Sequence, residues 1–369
     1  MTSIAFTGDI AFTNYFKNSW KNPDFISNNI YSFLHQTDYT VANLEGPMTD
    51  KAIQSNRKLN HSTTSKALNC IEKMNANIWN LANNHIMDCG EEGCYETLKL
   101  AKKNNCTTLG VGKNIYEAEK SVIIDKDGGI GIFSVTYTKD CVMSDENKAG
   151  CVVWDDFDRI EKSINDIKRL NRWCILIVHG GEEFSNMPMP HVRKRYMKYL
   201  DMGADIIVSH HPHVVQNYEI IGGKTIFYSL GNFVFDTDFQ RGRRYTDKGI
   251  LVKINFNSER YYWEYLPIKI NRINNTINEC ECPPIFRNIT NVNYNLLWPL
   301  AAKDYLVNNR KKMVFLEPRL FEKYGWIEWF KHDLRNCRFE WGRYLLVGFF
   351  VSYLNLWRFS SKNIYRYLK

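Results

Sequence analysis

Apolar positions along the chain fall into two recurring patterns. Short apolar runs occur at Ile4–Thr7, Thr40–Asn43, Asn77–Ala82, Ile130–Val135, Cys174–His179 and Asp205–Ser209, bounded by Gly, Asn or Asp. Their length and partly β-branched composition predict buried strands. Between them, Cys94–Asn104, Phe157–Leu170 and His191–Met202 follow a helical pattern, and in the last Val192, Tyr196, Tyr199 and Leu200 recur at helical spacing. Alternating β and α elements predict an α/β layered fold, with sheet covered by helices. After Val214 the pattern turns to hairpins: Val214–Ile221 and Lys224–Ser229 around Gly222-Gly223, then Gly249–Asn257 and Tyr261–Ile270 around a turn starting at Asn257-Ser258.

Composition adds an asymmetry. At 369 residues, 44 % hydrophobic and 24 % charged, the chain is neither disordered, collagenous nor a coiled coil. Its net charge of +8 resides in the tail: residues 297–369 hold 14 Lys/Arg against 6 Asp/Glu, together with 18 of the 52 aromatic residues. The Asn-rich stretch from Asn271 to Asn295, interrupted by Pro283-Pro284, predicts a linker. The expected organisation is a body over 1–270, a linker over 271–296 and a basic, aromatic-rich helical extension over 297–369. Aromatic and basic residues of 324–369 suit packing on the body or on a second copy as a homodimer; they also suit peripheral contact with anionic lipid. Tyr344–Leu354 is too short to span a bilayer. Clustered aromatics without a long basic stripe argue against nucleic acid. The start of the chain has no basic n-region or long apolar segment, and no cysteines form C-x-x-C. The expected location is therefore the cytoplasm, with reduced thiols, or its membrane face if the tail binds lipid.

Chemistry gathers at the ends of the predicted strands. They end in Asp9, in Asn43-Leu44-Glu45, in Asn83-Asn84-His85 with Asp88 following, in His179-Gly180-Gly181-Glu182 and in His210-His211-Pro212-His213. Carboxyl ends of strands in a layered α/β fold converge on one edge, where ligands bind. Carboxylates mixed with imidazoles favour one or two Mn, Zn or Fe ions over an all-oxygen Mg or Ca site. Glu182 stands three residues after His179, placed to orient it. Arg241-Gly242-Arg243-Arg244 forms a basic loop soon after this set; Arg241 and Arg243, with Asn43 and His210, are the candidate contacts to an anionic substrate.

The strings Phe6-Thr7-Gly8-Asp9, Ala42-Asn43-Leu44-Glu45-Gly46-Pro47 and Leu81-Ala82-Asn83-Asn84-His85 through Gly90 resemble the CapA family of bacterial capsule and poly-γ-glutamate synthesis proteins. So do His179-Gly180-Gly181-Glu182-Glu183, Gly203 through His213, and Tyr228 through Asp236. The resemblance implies a metallophosphoesterase-like four-layer α/β fold: a β-sandwich flanked by helices, with the tail as a helical extension outside it. It implies that Asp9, Glu45, Asn84, His179, His211 and His213 bind metal, with His210 as an alternative to His211, and that His85 donates a proton. Departures are visible. Ala11 stands where the wider superfamily has an imidazole, Glu45 is longer than the usual Asp, and Gly180 replaces a common Trp, opening room beside His179. The reading is a metal-dependent hydrolase in capsule, exopolysaccharide or poly-γ-glutamate synthesis. Metal-activated water would attack a phosphorylated or anionic polymer or its precursor. The rival reading is a non-catalytic, membrane-associated component of a surface-polymer synthesis complex.

Overall fold

The short apolar runs become strands because both of their faces are covered. A computed structural model describes residues 1–54, 59–138, 141–283 and 285–302. In the strand Trp173–His179, Ile175 and Ile177 face one core while Cys174, Leu176 and Val178 face another, so the sequence reads as a continuous apolar run. Two sheets result. The first has eight strands; Thr276–Glu279, Tyr261–Asn271, Lys248–Phe256, Thr2–Ile10, Tyr39–Leu44, Ile78–Asn80 and Thr107–Leu109 lie in that order, and Asn232–Val234 pairs with Thr2–Ile10. The second orders Tyr218–Ile221, Lys224–Phe227, Ile206–His210, Trp173–His179, Ile130–Thr136 and Val122–Ile124. Central strands of both sheets run parallel; antiparallel strands finish both edges of the second sheet and one edge of the first, whose other edge, Thr107–Leu109, is parallel.

Side-chain alternation sorts the core into three seams. Ile4, Phe6, Val41 and Val252 of the first sheet meet Ile132, Ile175, Ile177 and Val208 of the second. Behind the first sheet, Ala5, Ala42 and Trp79 pack on Ile30 and Leu34 of the helix Asn28–His35 and on Cys94 and Ala101 of the helix Gly90–Lys103. Behind the second, Val135, Leu176 and Ile207 meet Ile160 and Ile164 of Phe157–Leu170 and Tyr196 and Tyr199 of Pro190–Asp201. The order of layers is helix, sheet, sheet, helix, as the resemblance implied.

The segment 271–296, expected as a linker, is part of this packing. Thr276–Glu279 pairs with Tyr261–Asn271 as an outer strand, and Ile285, Phe286, Ile289 and Tyr294 are buried between the sheets. Residues 291–302 are helical, with Leu297 and Ala301 buried on the same seam. The rest of the expected extension, residues 303–369, lies outside the described residues. Among the described residues no helix is long and apolar enough to cross a membrane.

Candidate metal centre

Both sheets present their strand ends at one shared edge. Asp9 lies inside the end of Thr2–Ile10, where the strand runs on past the expected Thr7 by pairing with Tyr39–Leu44 and Asn232–Val234. That three-strand junction needs Gly8: a Cβ there would stand 2.4 Å from the Gly231 carbonyl oxygen. Glu45 follows Tyr39–Leu44 directly, its amide donating to the Ile10 carbonyl at 2.8 Å. Asn83 ties the third strand end to the second, since its Nδ2 donates to the Leu44 carbonyl at 2.7 Å and its Oδ1 accepts from Gly46 N and His85 N. From the second sheet, His179 and His210 are paired terminal residues of adjacent strands. The turn beyond carries His211 at φ 94° and His213 at φ 56°. Positive φ at two non-glycine residues within three is backbone strain of the kind that concentrates at working sites.

Asp9 is fully buried, and three neighbours address it. Asn43 Nδ2 donates to Oδ1 at 2.8 Å, His213 Nδ1 lies 3.0 Å from Oδ2, and His210 Nδ1 lies 3.5 Å from Oδ1. Burial pushes this carboxyl up, but His210 and His213 outweigh it and hold it well below the ordinary range. His213 Nδ1 also faces Asn232 Oδ1 at 3.1 Å, while Asn232 Nδ2 is used on Gln240 and Thr246. Two acceptors therefore fix the proton on His213 Nδ1 and turn its Nε2 toward Glu45 Oε1, 3.6 Å away. Burial alone would lower the His213 pKa; the Glu45 charge and the Asp9 hydrogen bond raise it to about 9.

Glu45 is buried, and neither of its oxygens has a hydrogen-bond partner. Burial raises its pKa well above the carboxylate range. Nδ1 of His179 and of His211 is likewise buried without a hydrogen bond. Burial holds His179 neutral, well below the usual imidazole value, with the neighbouring His211 adding to it; burial also lowers His211. One ligand atom each from Asp9, Glu45 and His179 lie within 4.8 Å of one another. A buried carboxylate without hydrogen bonds beside neutral imidazoles is a donor set that fits a divalent cation and leaves unsatisfied groups without one. Asn84 Oδ1 sits 3.1 Å from His179 Nε2, and His85 Nδ1 is 2.7 Å from Asp88 Oδ2, leaving His85 Nε2 3.9 Å from Glu45 Oε1.

Several expected roles change in the structure. Asn43, assigned to substrate, is buried and spent on structure: it donates to Asp9 and accepts from Asn80 Nδ2 at 2.7 Å. Asn80 Oδ1 in turn accepts from Ser134 Oγ of the second sheet at 2.6 Å. Glu182 Oε1 lies 2.9 Å from His191 Nε2, so this oxygen serves His191, and Asn84 addresses His179. Arg241 donates to Asp236 at 2.6 Å and to Asn275 at 2.9 Å, over the Tyr15 ring, so its guanidinium is held in a structural cluster. Arg243 lies over Phe184 and Phe239, and Phe184 stacks on His213, which puts Arg243 at the rim. Gly180 opens no room: a Cβ there would meet the Trp154 indole at 2.9 Å. The strand-end pattern misses one residue. His61 is buried against His85 with ring centroids 4.1 Å apart, and it lies in no strand that would have signalled it.

Facing sheets that send their polar residues out along one common edge are the arrangement of the metallophosphoesterase-like superfamily. Within it, residues 3–237 match the family described as bacterial capsule synthesis protein PGA_cap, and the chain belongs to that family of capsule and poly-γ-glutamate synthesis proteins. It is 32 % identical over 248 residues to the PGA biosynthesis protein CapA of Bacillus subtilis (strain 168), covering 65 % of each chain. It is 30 % identical over 229 residues to the capsule biosynthesis protein CapA of Bacillus anthracis, covering 59 % of this chain and 55 % of that one. The chain thus spans less than two thirds of the length of these curated relatives. A hypothetical protein from Thermus thermophilus superposes with a TM-score of 0.46 at 12 % identity, covering 76 % of this chain and all of that one.

Proposed function

We propose that this chain is a divalent-metal-dependent hydrolase acting on a phosphoester or related bond in an anionic capsule or poly-γ-glutamate precursor. One observation carries the reading: Glu45 is buried with neither oxygen in a hydrogen bond, and one ligand atom each from Glu45, Asp9 and His179 lie within 4.8 Å of one another. A divalent ion there supplies Lewis acidity and a nucleophile from water at neutral pH. Asp9, Glu45 and His179 would hold it, with Asn84, His211 and His213 beside them. Asn43 and Asn232 keep Asp9 and His213 in place. Asp88 fixes the His85 ring so that Nε2 points into the site, where it passes a proton to the leaving oxygen. Arg243, at the rim, favours an anionic substrate. The Trp- and Arg-rich tail would bring the body to the cytoplasmic face of the membrane.

Elemental analysis of the purified full chain beside Asp9→Asn and His179→Ala, with Mn²⁺-dependent phosphodiester turnover on the same samples, tests this. Bound metal and turnover in the wild type, both lost in the variants, are expected. Absent metal and absent turnover in the wild type would favour the non-catalytic membrane component, a reading that Ala11 and the structurally engaged Arg241 support.

A further inference from the structure

We propose that His61 is a metal ligand and that, with Glu45 and His85, it builds a second cation position beside the one on Asp9, Glu45 and His179. One ligand atom from each of Glu45, His61 and His85 lie within 4.8 Å of one another, as do those of the first group. Glu45 belongs to both groups, and its two oxygens, neither of them in a hydrogen bond, can divide between them. His61 is 6 % exposed and its Nδ1 is buried without a hydrogen bond. Packing alone leaves that nitrogen and both Glu45 oxygens unsatisfied, whereas a shared cation satisfies all three.

The segment around His61 is pinned where the first strand lacks an imidazole. His61 N donates to Asp88 Oδ2 at 2.8 Å. Thr63 N donates to the Pro47 carbonyl and Thr49 N to the Thr63 carbonyl, each at 2.8 Å, and Phe12 N donates to Thr63 Oγ1 at 3.1 Å. These bonds lay residues 61–63 against the chain that follows Ala11. Close approach is possible because residue 46 is glycine: at φ +100°, a Cβ there would stand 2.8 Å from the His61 carbonyl oxygen. The ring itself is set by the edge of Phe235, at 4.8 Å and 86°. A side chain from a distant loop thereby delivers the donor that position 11 does not.

The inference rests on the metal-holding reading above and alters it at one point. His85 uses Nδ1 on Asp88, so a cation at the second position takes the other nitrogen. His85 then serves as a ligand at the second position in place of the proton transfer assigned to it above.

The test is equilibrium dialysis of the full chain against Co²⁺, read by elemental analysis and by the visible absorption of the bound ion. About two ions per chain are expected in the wild type. In His61→Ala and His61→Phe the second should weaken about tenfold or more, with the first unchanged. The Phe variant preserves ring packing on Phe235, so a poorly folded Ala variant does not decide the result. Two ions of unchanged affinity in the Phe variant overturn the proposal. A single ion in the wild type also overturns it while leaving the one-ion hydrolase intact. No bound cobalt in the wild type overturns both.

Discussion

In the metal-free chain, Glu45 is a buried carboxyl whose pKa burial raises well above the usual range. Folding then favours the protonated group, and its stabilisation is lost as the pH rises through the folded value. Cation binding needs the ionised group. Glu45→Gln is therefore expected to melt no lower than the wild type in chelator at pH 7, yet to bind no metal; a clear drop in the apo melting temperature would contradict this account. His213 has the same sign, and Asp9, ionised beside it, supports its charge whichever form Glu45 takes. Its pKa, raised from 6.5 to about 9, gives a stabilisation fully present below pH 6.5 and lost as pH rises through about 9. It amounts to about 3 kcal/mol at most. Apo melts between pH 6.5 and 9 should fall steeply for the wild type and more gently for His213→Asn.

At the scale of elements, the turn after Ile206–His210 and the junction at Gly8 respond to substitution in opposite ways. His211 holds φ 94°, so His211→Gly relieves backbone strain of about 1 kcal/mol or more while removing an imidazole. A melting temperature at or above wild type with weakened metal binding is the expected pair of results. Gly8→Ala puts a Cβ between backbones that cannot yield, at a cost of about 2–4 kcal/mol, visible in a denaturant midpoint. The layers were legible in the sequence because Trp173–His179 and its neighbours are apolar on both faces, and because Asp9, Glu45, His85, His179 and His210 each follow an apolar run. His61 was concealed, because its polar setting of Asn60, Ser62 and Thr63 is organised by bonds to residues distant in the chain, among them Pro47, Thr49, Phe12 and Asp88. So was the strand Thr276–Glu279, whose one buried apolar residue is Ile277 amid an Asn-rich stretch. The role of Asn43 depends on a partner, Asn80, that comes level with it only when strands pair in register.

At the scale of the whole molecule, the sandwich closes through Ile285, Phe286 and Leu297, so any boundary for the basic tail falls beyond this seam. Liposome flotation of the full chain beside a chain ending at 302 measures what the tail contributes. Loss of recovery on anionic vesicles after truncation is expected; equal recovery would remove the membrane from the proposal. The line Asp9–Asn43–Asn80–Ser134 crosses from the site through the first sheet into the second, with every member buried. Its amides are dipoles laid end to end on the one carboxylate that a cation would neutralise. The Asn80 side-chain amide, two residues removed from any ion, should therefore shift its nitrogen resonance as the site fills, giving spectroscopy a reporter of occupancy in the middle of the protein.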